Sequence, residues 1–198
     1  MHYAWMTLPS GDRPGRGEVI RRIAIERGLV AVSAVALRVD RAGYVSPSEC
    51  AATFVDVIAS LDQGVGGDDL GWRASAGEAS VVIGLVTVGG RRGLVLRFMQ
   101  SDFREFESAV KGGVLELIAA LREACAAREV IWAREVSLTT MLELIDVEAH
   151  EIPVGALEEV VALAEVSDAL FEFMEIYGEE MWAGGLRFVA QRWARPVQ

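Results

Sequence analysis

Six carboxylates near the C-terminus, Glu158, Glu165, Asp168, Glu172, Glu175 and Glu179, recur at steps of seven, three, four, three and four residues. On a helix of about 3.6 residues per turn this spacing draws them into one stripe. Such a stripe repels itself unless solvent, salt, internal arginines or a cationic partner compensates it. Its chemistry is that of a surface that meets a basic or extended partner. Glu165, Asp168 and Glu172 have the spacing to hold a hydrated Mg2+, but the segment carries no histidine of the kind that carboxylate-bridged metal bundles pair with glutamate. No metal and no cofactor is therefore expected.

A second group of opposite sign lies in Gly89-Gly90-Arg91-Arg92-Gly93, followed by Arg97. Backbone N–H groups of a glycine turn and the guanidinium groups of Arg91, Arg92 and Arg97 could receive a phosphate or carboxylate. The plainer reading is a hairpin turn with a polar tip. His150, between Glu148 and Glu151, and His2 are isolated, and no nucleophile, base and orienting group share a recognisable spacing. No catalytic residues are assigned. Gly64 to Gly67 follows a helical pattern rather than a strand and runs into Asp68 and Asp69, which excludes a dinucleotide fingerprint.

Composition sets the frame for these groups. The chain has 198 residues, 52% of them hydrophobic, and a formal net charge of -10, enough apolar material for a substantial core. Residues 1 to 100 carry 11 basic and 10 acidic side chains, and residues 101 to 198 carry 8 and 19. The acidity is local to the second half. With no basic stripe, direct nucleic-acid binding is not expected. No apolar run reaches the length of a membrane span, and no secretory leader is legible. The two cysteines, Cys50 and Cys125, fall among apolar residues, as structural thiols of a cytoplasmic protein do.

The elements that must position these groups follow from pattern. Residues 1–17, broken by Pro9, Gly11, Pro14 and Gly15, read as a mobile N-terminal arm, and residues 18–198 as a single α+β domain. A helix over Glu18 to Arg27 precedes a strand over Leu29 to Val39. Ser46-Pro47-Ser48-Glu49 has the form of a capping box, predicting a helix with Val55, Ile58 and Leu61 on its apolar face and Gly64 at its end. Short-period apolar runs predict strands at Trp72 to Ala76, Val81 to Val88 and Leu94 to Met99. A long helix from Ser101 would bury Phe103, Phe106, Val110, Val114, Leu117, Ile118 and Leu121, with a kink at Gly112-Gly113. Val130 to Val136 reads as a strand, and Ser137 to Ile152 leans towards strand. The acidic helix spans about Leu157 to Met181, and Leu186 to Ala194 is a last strand. The expected fold is a ferredoxin-like antiparallel sheet with helices on one face plus an extra C-terminal α-β unit.

The layout from Pro47 to Met181, with its acidity, resembles that of the small dimeric chaperones of type III secretion, which implies a homodimer holding an extended client. The hairpin from Val81 to Met99 leading into Ser101-Asp102-Phe103-Arg104 is similar to the dimerising small subunit of the KEOPS tRNA-modifying assembly, although the Arg-Ala and Asn-Ser signature positions are not matched. Both are likenesses of layout, which is analogy. The expected function is a non-enzymatic protein-interaction module, an adaptor, chaperone or inhibitor that forms a homodimer and uses the acidic helix. The alternatives are a small anionic-ligand-binding protein or enzyme using the Gly-Gly-Arg-Arg-Gly turn, and a subunit of a larger nucleoprotein assembly.

Overall fold

The computed structural model describes residues 2–64, 67–99, 103–127, 130–134, 137–139 and 160–162. Its order is β1 (His2–Thr7), α1 (Arg16–Glu26), β2 (Val30–Val39), β3 (Val45–Glu49), α2 (Phe54–Asp62), β4 (Leu70–Ala76), β5 (Ala79–Val88), β6 (Arg91–Phe98), α3 (Phe103–Ala109), α4 (Gly113–Cys125), β7 (Val130–Arg134) and β8 (Val160–Ala162). The eight strands form one antiparallel sheet in the order β3-β2-β4-β5-β6-β1-β7-β8. The mixed α+β class is as the sequence implies. The strands that directly flank α2, β3 and β4, both run antiparallel to β2, which lies between them.

Three expectations are corrected. The segment read as a mobile arm begins with β1, which lies between β6 and β7 and buries Tyr3, Ala4, Trp5 and Met6 completely. The glycines and prolines that suggested mobility belong to the turn after it. Ser46 to Glu49 starts no helix. It is edge strand β3, with Pro47 opposite Leu37 at the sheet margin, where a missing N–H breaks no ladder. The functioning capping box is Thr53 with Asp56: the Asp56 N–H donates to Thr53 Oγ1, and the Asp56 carboxylate accepts from the Thr53 N–H at 2.7 Å. Starting the helix there turns Val57, Ser60 and Leu61 inward and leaves Val55 in solvent. The long helix is two, because Gly112 and Gly113 adopt φ of 83° and 78°, and Glu107 accepts from the Val114 N–H to cap the second. Its inward face is nonetheless the expected one, with Phe106, Val110, Val114, Leu117, Ile118 and Leu121 buried.

Both faces of the central sheet are covered. On one, Phe98 meets Phe106 of α3 edge-on at 5.0 Å, in line with Ile83 and Leu96. On the other, large side chains lie over glycines. Leu37 Cδ1 occupies the space a Cβ would need at Gly84, and the Trp5 ring occupies that of Gly93. Gly71 and Gly84 are themselves register partners. The sheet bends strongly towards this second face: the Val45 N–H of β3 donates to Tyr3 Oη of β1 at 3.2 Å, although four strands separate them in the order. The Leu138 N–H then donates to Gly43 O, tying the chain after β7 to the β2–β3 turn.

Candidate functional site

Among the described residues, five of the six large apolar side chains that stand most exposed lie on α1, α2 and β2, the sixth being Met99 after β6. Ile25 (52% exposed), Val30 (64%), Val32 (56%), Phe54 (39%) and Val55 (76%) belong to these three elements. A cleft of about 450 Å³ opens among them, lined by Ala24, Ile25, Leu29, Val30, Ala31, Phe54, Ile58 and Trp72, with Arg21 as its one charged lining residue. Its size is that of small-molecule and side-chain sites, roughly 300–1,000 Å³.

Local sequence explains why the cleft stays open. The helices are clamped at the opposite end, around Asp62. Its carboxylate accepts from the backbone N–H groups of Gly15 and Gly17 at the start of α1, while Arg16, 2% exposed, donates from Nε to Leu61 O and from Nη2 to Gln63 O at the end of α2. Each helix terminus thus receives the charge its dipole favours. A Cβ at Gly17 would strike Ile58 O, so the approach there requires glycine. At the other end, Gly28, with φ of 86°, turns the chain from α1 into β2, and small Ala24 and Ala31 leave the gap beneath Ile25 and Phe54. Arg21 pairs with Glu18 at 2.5 Å, both about half exposed, a pair that solvent screens and a ligand could exchange.

The strand beside the cleft has a free edge. β4 pairs with β2 from Val30 to Ala36, but β3 pairs only from Val35 to Val39. Among the described residues, none pairs with the other side of 30–34. The register with β4 slips by one residue between Ala31 and Ser33, which places Val32 in a bulge.

The arginines expected to receive an anion have other work. Arg92 is 3% exposed and turns inward, donating to Gly67 O at 2.8 Å, Asp68 O at 2.9 Å, Asp69 Oδ1 and Thr87 Oγ1 at 3.2 Å, and Ser60 Oγ at 3.4 Å. Burial pushes the Asp69 carboxyl above its ordinary 3.8, against hydrogen bonds from Thr87 and the charge of Arg92. Arg91 stands at the tip of the hairpin after Gly89 and Gly90, whose φ of 57° and 77° suit a type I′ turn. Arg97 lies on the inner strand β6, opposite Tyr3 and Val82, with its Nε buried and without a hydrogen-bond partner. Burial raises the Tyr3 phenol, opposed first by its bond to Val45 and then by Arg97. The three guanidinium groups therefore do not converge on one solvent-facing turn.

Cys125 is buried on α4 and its thiol is pushed up to about 12 by desolvation, with Arg16 and Arg13 opposing, so it is an inert packing group. Among the described residues no cluster of His, Cys, Asp and Glu has the geometry to hold a metal, and no helix is long and apolar enough to cross a membrane.

The acidic stripe Glu158, Glu165, Asp168, Glu172, Glu175 and Glu179 lies outside the described residues, as do His150 and the strand expected at Leu186 to Ala194. Within the predicted acidic helix, Val160–Ala162 is instead strand β8, paired with Ile131 to Ala133. Sequence reasoning missed the cleft because Val55 and Ile58 read as part of the inward, apolar face of their helix. The signal that could have found it is the pair of valines at 30 and 32 in the half of β2 that has no second partner strand among the described residues. No family model, curated protein or solved structure matches the chain.

Proposed function

We propose that this protein is a non-enzymatic protein-interaction module, an adaptor, chaperone or inhibitor, which works in the cytoplasm as a homodimer. What carries the reading is one apolar cleft with exposed Ile25, Val30 and Phe54 in its lining, on elements that also expose Val32 and Val55. Contiguous exposed apolar surface beside a polar rim is characteristic of protein-binding patches. In this reading the carboxylates of residues 158 to 179, in a C-terminal α-β unit, supply a second, electrostatic contact to a basic stretch of the same partner, with Glu165, Asp168 and Glu172 at its centre.

The test is native mass spectrometry of the protein isolated gently from its own cells, alongside Phe54→Glu and a triple charge reversal of Glu165, Asp168 and Glu172. A second polypeptide retained by the wild type and lost from Phe54→Glu is expected, with partial loss from the charge reversal. A protein that retains a small anion and no polypeptide would overturn the reading and return attention to Arg91 and Arg97.

A further inference from the structure

Resting on the interaction-module reading, we propose that the open side of β2, from Val30 to Ala34, receives an extended polypeptide strand that carries apolar side chains and a carboxylate, one of the side chains entering the α1–α2 cleft.

Three observations converge on that occupant. The first is the backbone. Among the described residues, 30–34 of β2 pair on the β4 side alone, and the adjacent lane is occupied by β3 only from Val35 onward. A strand edge offers alternating N–H and C=O groups, and an extended chain satisfies that pattern residue by residue. The second is the side chains. Val30 and Val32 stand largely in solvent, and Val30 and Ala31 form the lip of the cleft whose other walls are Ile25, Phe54, Ile58 and Trp72. An added strand would present successive side chains to opposite faces, so alternate ones fall over the cleft. The third is charge. From Leu29 to Leu37 the sequence has no charged residue, while Arg21 lines the cleft and exposed Arg73 stands opposite Ser33 on β4. Arg21 is paired with Glu18, an exposed pair that a ligand carboxylate can exchange, and Arg73 has no ion pair among the described residues, so the edge favours a carboxylate on the ligand over an ammonium group.

The bulge at Val32 fits the same use. Bulges twist an edge and shorten the stretch that can pair, which discourages open-ended sheet growth and leaves room for a short strand.

The probe is a capped, fluorescein-labelled peptide of alternating valine and threonine with one glutamate, titrated onto the full chain by fluorescence anisotropy, with amide hydrogen exchange read in parallel. Saturable binding that slows exchange of alternate amides within 30–34 is expected, with N-methylation of the peptide's pairing amides weakening it about tenfold or more. Phe54→Glu should weaken binding of the unmethylated peptide by a similar factor. If methylated and plain peptides bind equally and exchange is unchanged, while Phe54→Glu still releases the cellular partner, strand addition is overturned and the interaction-module reading stands. No binding of the plain peptide also overturns the proposal. Protection of 30–34 that grows with protein concentration in the absence of peptide would reassign the edge to a second copy of the chain. Complete displacement by laurate with no amide protection would reassign the cleft to an amphiphile. If Phe54→Glu leaves cellular partner retention unaltered as well, both readings fall.

Discussion

Strand β2 has two halves built from the same residue types. Val35 and Leu37 are 2% and 3% exposed, with β3 on one side, β4 on the other and Leu37 seated over Gly84, whereas Val30 and Val32 are more than half exposed with one neighbouring strand. Valine in a strand is a β-former in either place. What separates the halves is whether a partner strand and a glycine hollow exist to receive it. Hydrophobicity thus marks the core in one half and a contact surface in the other, and the difference is written in the neighbours.

The sealed side of this comparison can be tested hardest at Arg92. Arg92→Met leaves the carbonyls of Gly67 and Asp68 without their donor and the Asp69 carboxylate without its cation. A loss of about 3 kcal/mol is expected by urea denaturation, at the low end for a broken buried pair because Asp69 remains 27% exposed. A loss below about 1 kcal/mol, the value of an ordinary surface contact, would show that the cluster around Ser60 and Thr87 is loosely held. Gly93→Ala comes next. The added methyl meets the Trp5 ring, which is fully buried and donates from Nε1 to Thr7 Oγ1. Overpacking of this kind costs about 1–3 kcal/mol, and differential scanning calorimetry of the variant should show a lower Tm. An unchanged Tm would mean that the ring has room to shift.

Asp69 sharpens the same point through pH. Its carboxyl is raised above 3.8 chiefly by burial, so the folded state holds the proton more tightly than the unfolded one. Its contribution is then fully present below 3.8 and is lost as pH rises through the folded value. The stability of the wild type relative to Asp69→Asn should therefore fall as pH climbs from 3.8, measured as the difference in urea midpoint across a pH series. A difference that grows with pH would show that Arg92 outweighs desolvation.

Much of this was legible in the chain. The strands from Trp72 to Met99, the helix over Glu18 to Arg27 and the buried face from Phe106 to Leu121 follow from period and composition alone, since each carries its apolar residues at the spacing of its own element. What was not legible depends on distant pairing. Tyr3, Ala4, Trp5 and Met6 form an inner strand only because β6 and β7, some ninety and more residues away, leave a lane for them. Ser46 to Glu49 satisfies the local rule for a helix start, yet pairing with Val35 to Val39 offers five residues of ladder, while Thr53 and Asp56 provide a second box a few residues on. Arg92 was read as a turn tip because the loop at Gly67 to Asp69 that enfolds it is distant in sequence, and two of its five acceptors are backbone carbonyls, which no motif records.

The smallest expected effect divides β2 most directly. Val→Thr keeps side-chain shape and replaces a methyl with a hydroxyl, so its cost reports whether that hydroxyl is taken out of water. At Val35 the hydroxyl would be buried, and an uncompensated one costs about 1–3 kcal/mol. At Val32 it remains in solvent, and surface changes of this kind stay within about 0.5 kcal/mol. Paired urea denaturation of Val32→Thr and Val35→Thr should therefore give unequal losses with equal m-values. If the two cost the same, the open half of β2 is as covered as the closed half. The strand then has no free edge, and the cleft beside it is a packing gap in the sheet's margin.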